Sequence, residues 1–193
     1  MKLLAIFLTI LTTGCGVLQP VKDLAINHLL DPLVPARTIT GTSPAIAISR
    51  PSLPSYLDRQ QLVSRSADGQ AHLHSDHLWA EPLDAGIARV TALNLGRLVN
   101  SLNIQPVETF VALEYQHLLE IRVSRFEADA GGNVALECTW KLQLVSGKVT
   151  SPRPFSTVIA NSGAAQPKGN QSISVAAMNE ALARLAREIA GTL

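Results

Sequence analysis

Alternating apolar and polar residues predict a long β-hairpin in the second half of the chain. Apolar side chains occupy every second position over residues 119–123 and again over 134–144, while charged and polar residues fill the positions between them. A period of two puts the apolar side chains on one face of a sheet and the polar ones on the other. Residues 131–133, Gly-Gly-Asn, separate the two runs and form a suitable turn. We therefore expect two half-buried antiparallel strands.

The apolar phase of the first of these strands changes near Ser124 and Arg125. Beyond this point Phe126 and Ala128 are the apolar positions, so the pattern slips by one residue. One extra residue in a strand produces such a slip, and we therefore predict a β-bulge there.

Shorter patterns predict further strands. Residues 45–49 carry Ile at alternate positions between two prolines, and residues 154–160 form another apolar run. Residues 61–65 and 71–74 flank an Asp-Gly pair that is typical of a hairpin turn. The segment 25–30 could form either a helical turn or a strand. Pro32 would end either one.

Two amphipathic helices complete the pattern. Pro82 opens the first, which we expect to run to about Leu102 with one apolar stripe facing a sheet. Gly96 in this helix indicates close packing. The second helix has its apolar positions at Met178, Leu182, Leu185 and Ile189. The predicted fold is therefore a single layered α/β or α+β domain, with a mixed, largely antiparallel sheet flanked by two main helices.

Charge and cysteine content argue against two kinds of function. The 193 residues include 16 Lys and Arg against 15 Asp and Glu, a balance that argues against nucleic acid as a partner. Only Cys15 and Cys138 are present. Cys138 lies in the apolar phase of its strand, so we expect a small core side chain and no catalytic thiol.

The N-terminus resembles a bacterial lipoprotein signal. Lys2 precedes an apolar run at residues 3–11, and a small residue then precedes Cys15. The run is too short to span a bilayer. Thr12 departs from the lipobox, where Leu or Val is usual, and the alternative is an ordinary cleaved signal. Gly16, rather than Asp, is typical of sorting to the outer membrane.

These features divide the chain into three parts. We predict a signal peptide at residues 1–14, a tether at 15–26 that carries a lipid on Cys15, and one domain at 27–193.

Candidate chemistry is sparse. His72, His74 and His77 with Asp76 are the one metal-like cluster, but their spacing matches no zinc signature, so we predict a solvated hairpin and no metal or cofactor. Glu114, Glu120 and Glu127 flank the central strand, and we expect them on a solvated sheet face. The chain contains no nucleophile elbow, phosphate-binding loop or zinc-protease motif, and we predict that it is not an enzyme.

Trp79 precedes the first helix by a few residues and allows two interpretations. Its indole could fill the corner between sheet and helix as a structural joint. Alternatively, it could be an exposed aromatic anchor for a partner.

Several motifs together resemble one family. These are residues 50–59 (RPSLPSYLDR), 78–83 (LWAEPL) with Asn94 and Leu95, 123–126 (VSRF), Trp140, and 153–155 (RPF). In order and spacing they are similar to the auxiliary lipoproteins of ABC-type transport systems, and in particular to PqiC-like (paraquat-inducible protein C) lipoproteins.

The resemblance implies a non-enzymatic role. Family members sit on the periplasmic side of the outer membrane and work with MCE-domain proteins, which carry lipids between the two membranes. The implied fold is an α/β sandwich similar to the N-terminal domain of TolB, and ring-like self-association would suit docking onto a tubular partner. The implied partner-binding or structural residues are Pro54, Tyr56, Leu57, Trp79, Pro82, Arg125, Phe126 and Trp140.

A second hypothesis is a free-standing periplasmic carrier of a lipid or another small ligand. Such a carrier needs an apolar cavity between helix and sheet.

Overall fold

The long hairpin forms the centre of an eight-stranded mixed sheet. The computed structural model describes residues 25–108, 114–147, 151–161 and 175–193. Its strands are β1 (Ile26–His28), β2 (Ile46–Ile48), β3 (Gln61–Arg65), β4 (Ala71–Trp79), β5 (Ile104–Pro106), β6 (His117–Asp129), β7 (Val134–Leu144) and β8 (Arg153–Ile159). Its helices are α1 (Leu83–Val99) and α2 (Val175–Ala190).

Strand β6 organises the sheet because it is paired along both edges. On one edge it pairs antiparallel with β7, which pairs in turn with β8. On the other edge it pairs parallel with β2 near its start and with β3 near its end. The β3–β4 hairpin and the parallel strands β1 and β5 extend the sheet from there. The predicted single domain with a mixed sheet and two helices is confirmed.

The predicted bulge is also confirmed. The register between β6 and β7 shifts between Val123 and Arg125. Val123 pairs with Cys138 and Phe126 with Leu136, so apolar side chains continue to face the same side of the sheet across the slip. The segment 25–30, for which helix and strand were both open, contributes the short strand β1.

Both helices pack on the apolar face of this sheet. They contact each other, while α1 also contacts β5, and α2 contacts β7 and β8. The predicted positions Met178, Leu182, Leu185 and Ile189 of α2 are all buried in the core. None of the described helices is long and apolar enough to cross a membrane.

Helix α1 ends earlier than we predicted. Asn100 takes a left-handed conformation and its N–H donates to the carbonyl of Gly96, which closes the helix after Val99. Leu102, expected in the apolar stripe, is therefore outside the helix and exposed. The close packing expected at Gly96 is present, because a Cβ there would lie 2.9 Å from the carbonyl oxygen of Ser101.

Candidate functional site

The carboxylate of Glu127 is buried at the middle of the sheet, where we had expected a solvated side chain. Its side chain is 0% exposed, and both oxygens accept hydrogen bonds. Oε1 accepts from Nε of Arg65 and from Nε of Arg125, each at 2.8 Å. Oε2 accepts from the hydroxyl of Tyr56 at 2.8 Å and from the N–H of Phe126 at 3.1 Å. The expectation of a solvated Glu127 was wrong.

The bulge explains the direction of this side chain. Phe126 and Ala128 face the helices after the slip, so Glu127 between them points to the opposite face of the sheet. A buried carboxylate is costly unless cations and hydrogen-bond donors surround it. Arg65 from β3 and Arg125 from β6 provide the two charges. We call these side chains, with Tyr56, the Glu127 cluster.

Tyr56 reaches the cluster from a segment that follows the edge of β6. Beyond β2, the N–H of Ser52 donates to the carbonyl of Ile121, and the N–H of Val123 donates to the carbonyl of Ser52. The chain then turns at Pro54, whose carbonyl accepts from the N–H of Leu57. We call residues 53–59 the motif segment. It bridges β2 and β3 along one edge of β6.

Neighbouring groups in the cluster raise the pKa values of Tyr56 and Arg65. Burial raises the pKa of Tyr56 to about 12, with further contributions from its hydrogen bond to Glu127 and from the charge of that carboxylate. The negative charge of Glu127 raises the pKa of Arg65. The guanidinium of Arg65 also lies 5.4 Å from the centre of the Tyr56 ring. Tyr56 therefore keeps its proton and Arg65 its positive charge at neutral pH.

The end of the motif segment and Gln60, which follows it, meet the corner that precedes α1. The N–H of Trp79 donates to the carbonyl of Gln60 at 2.7 Å. A pocket of about 220 Å³ lies between residues 58–60 and residues 79–83. Trp79 is buried and Pro82 is exposed, so the indole fills the corner between sheet and helix and is not a surface anchor.

Most of the motif residues identified in the sequence therefore converge. Tyr56, Arg125 and Phe126 contact Glu127 directly, while the buried Leu57 and Pro54 form the turn beside Tyr56. Trp79 and Pro82 form the adjoining corner. Trp140 does not join them: it is buried in the core face of β7, with the guanidinium of Arg153 5.5 Å from its ring centre.

Two members of the cluster, Arg65 and Glu127, were missing from the sequence-based set. The signal for Glu127 was present but local: a charged residue between Phe126 and Ala128, immediately after a predicted bulge. Arg65 carried no such signal, because its role depends on the parallel pairing of β3 with β6.

The arrangement does not resemble a catalytic one. Glu127 is neutralised by two guanidinium groups and its oxygens are occupied, so it is poorly suited to accept a proton from a substrate. Burial raises the pKa of the Cys138 thiol to about 12, which keeps it protonated. Among the described residues, no group of three or more His, Cys, Asp or Glu side chains is placed to hold a metal ion.

The histidines considered for metal binding differ in their surroundings and partners. His72 is exposed, while His74 shares a hydrogen bond of 2.9 Å with Ser64. His77 pairs with His28 of β1, with Nδ1 and Nε2 2.8 Å apart and the rings stacked. This pair joins the side chains of β1 and β4, so it adds to the backbone pairing that attaches the first described strand to the sheet.

Comparison with known proteins identifies the family of this chain. A family model described as ABC-type transport auxiliary lipoprotein component matches residues 28–190. The chain belongs to this family. The resemblance drawn from the sequence motifs is thereby confirmed, and the family is a component of transport systems and not a class of enzymes.

Solved structures agree on the fold of this auxiliary component. A crystal structure of an uncharacterised protein is 20% identical, with a TM-score of 0.64, and the match covers 81% of this chain and 95% of that one. A Xanthomonas campestris protein of the DUF330 family is 19% identical, with a TM-score of 0.63 and coverage of 86% and 93%. No curated protein matches the chain.

The His28–His77 pair predicts a loss of stability in mild acid. Burial, followed by repulsion from His77, lowers the pKa of His28, and burial followed by the same repulsion lowers the pKa of His74. The unfolded chain therefore binds protons first, and stability should fall as pH drops from about 6.5 through the lower folded-state pKa values. Urea denaturation on either side of that pH measures the change.

A matched pair of substitutions tests the assignment. His28→Phe keeps a ring against His77 but cannot be protonated, so the decline in stability should be smaller than in the wild type. His72→Phe, at an exposed position of β4, removes only the smallest of the repulsions that lower the pKa of His74, so it should diminish the decline less than His28→Phe does. An undiminished decline in His28→Phe would show that the pair does not cause it.

Proposed function

We propose that this auxiliary component is a lipid-anchored docking subunit of an MCE/ABC-type intermembrane transport system for lipids or other hydrophobic solutes. In this proposal Cys15 carries the lipid at the periplasmic face of the outer membrane, and residues 27–193 dock onto the MCE-domain protein. The observation that carries the proposal is the family match over residues 28–190, which begins just beyond the proposed tether.

The Glu127 cluster supports a docking role. It ties the motif segment to the sheet through the hydroxyl of Tyr56, while Ser55 and Asp58 of the same segment are exposed. A loop that is held rigidly loses little conformational freedom on binding, and this favours affinity for a partner. The segment is thus a preorganised surface.

The filled core argues against the alternative of a carrier that encloses its ligand. Leu95 of α1, Leu182 of α2 and Leu119 of β6 are each fully buried in one continuous apolar cluster. Side chains therefore occupy the space between helices and sheet that an enclosed lipid would need.

The anchor rests on the N-terminal pattern. The apolar run at residues 3–11, which precedes Cys15, is too short to span the membrane, and a covalent lipid on Cys15 would supply the attachment instead. In this proposal the segment between Cys15 and β1 is the tether that lets the domain reach its partner.

The lipid anchor can be tested by metabolic labelling. Cells that express the chain are grown with labelled palmitate, and the label on the wild type is compared with that on Cys15→Ser. We expect the substitution to abolish labelling and to release the domain from the membrane fraction, because it removes the thiol that carries the lipid in this proposal. Cys138→Ser is the control and should keep the label. Label retained by Cys15→Ser would contradict the anchor.

The docking surface can be tested by crosslinking in cells. A photoreactive amino acid at position 55 should capture the MCE-domain protein, because this exposed side chain belongs to the motif segment. The same amino acid at position 146, an exposed serine beyond the far end of β7, is the control and should capture it much less. A crosslink from position 55 to neither an MCE-domain protein nor a second copy of the chain would count against docking.

A further inference from the structure

A second surface feature lies on the helical side of the molecule, away from the Glu127 cluster. It is a groove of about 590 Å³ between α1 and the edge strand β5. Ala92, Leu93 and Gly96 line it from the helix, while Leu102 lines it from the chain that leads into β5 and Ile104 from β5 itself. Leu93 is 41% and Leu102 is 54% exposed, so the apolar floor is open to a ligand. We call this the α1–β5 groove.

The charged residues around this groove differ in whether they form ion pairs. Glu81 forms an ion pair with Arg89, and Glu108 forms one with Arg50. Arg97 donates one hydrogen bond, from Nη1 to the carbonyl of Val34 at 2.7 Å, and makes no ion pair among the described residues. The guanidinium group has five N–H donors, so several stay available. The lining carries two glutamates and two arginines, and Arg50 is shared between Glu108 and Asp84. The α1–β5 groove therefore combines an apolar floor with one guanidinium, that of Arg97, that makes no ion pair among the described residues.

The dimensions favour a small ligand over a folded partner. The groove is lined by fourteen residues. A standard protein–protein interface uses roughly 20–30 residues on each side, whereas ligand sites have volumes of about 300–1,000 Å³ and are mostly apolar with a few polar groups that set orientation. The groove corresponds to the second class.

We propose that the α1–β5 groove binds one acyl chain of an anionic amphiphile. The chain lies along Leu93 and Leu102, and the acidic group pairs with Arg97. This assignment names a ligand class for the transport role and rests on the proposed function for its place in the cell. It differs from the enclosed carrier because the ligand lies in a surface groove and the core stays filled.

The acidic group could be the carboxylate of a fatty acid or the phosphate of a lipid headgroup. Arginine recognises both through charge-assisted hydrogen bonds. Three probes separate these sources: oleate, oleoyl-lysophosphatidylglycerol, and uncharged monooleoylglycerol, which share one acyl chain. Each is titrated below its micellar concentration into the full chain carrying Cys15→Ser, so that no covalent lipid competes.

We expect oleate, the lysophospholipid or both to bind about tenfold more tightly than monooleoylglycerol, because a hydrogen bond to a charged group is worth about one order of magnitude. Arg97→Gln should remove this preference while leaving binding of monooleoylglycerol unchanged, a split that a merely structural role of Arg97 would not produce. Arg122→Gln, at an exposed arginine of β6, should change neither.

A second pair of variants tests the apolar floor of the α1–β5 groove. Leu93→Gln in the groove should weaken binding of all three probes, whereas Leu73→Gln, at an exposed leucine of β4, should not. Thermal unfolding of each variant confirms that it is folded. Absence of saturable binding to the folded wild type, or equal loss in Leu93→Gln and Leu73→Gln, would overturn the proposal.

Crosslinking from position 55 separates this proposal from the docking role. Failure to bind any probe, with the crosslink to the MCE-domain protein intact, refutes ligand binding in the α1–β5 groove and leaves the docking role standing. Loss of that crosslink in Leu93→Gln, without probe binding to the wild type, would instead make the groove a protein-docking surface and also overturn the proposal. Probe binding without any crosslink refutes the docking role alone.

Discussion

The buried carboxylate of Glu127 imposes the constraint on which the rest of the molecule depends. An isolated charge in this position would be expelled or neutralised, because its hydration is lost without compensation. The structure compensates it with two guanidinium groups, one hydroxyl and one backbone N–H. These donors come from β3, from β6 and from the motif segment, so satisfying one charge brings together parts of the chain up to 71 residues apart.

This constraint connects the family motif to the fold. Residues 53–59 lie between two strands that pair with the same edge of β6, and Tyr56 fastens the segment where that edge is free of a partner strand. The buried Trp79 fills the corner between sheet and helix, and this places the start of α1 beside the motif segment. Residues that are distant in sequence thus form one rigid surface, which supports a docking role. The α1–β5 groove runs from α1 to β5, and in our proposal it takes a separate ligand.

Local patterns predicted the local structure well. The β6–β7 hairpin, its bulge and both helices follow from periodicities of two and of three to four residues within one segment. The end of α1 was missed because Asn100 in a left-handed conformation, and not the apolar stripe, stops the helix. Glu127 was assigned to solvent because two of its partners, Arg65 and Tyr56, come from β3 and from the motif segment, and their approach to β6 is not encoded in any local pattern. The His28–His77 contact was missed for the same reason, since β1 and β4 lie far apart in the sequence.

The measurement that tests this account most directly is a double-mutant cycle between Tyr56 and Glu127, with the free energy of unfolding obtained from urea denaturation. Tyr56→Phe removes the hydroxyl, and Glu127→Met removes the carboxylate at similar length. We predict a coupling of about 1 kcal/mol or more between them, because each substitution leaves the other group without its partner. The cycle of Tyr115→Phe with Glu127→Met should be additive. Additivity of Tyr56→Phe with Glu127→Met would contradict the claim that Glu127 holds the motif segment in place.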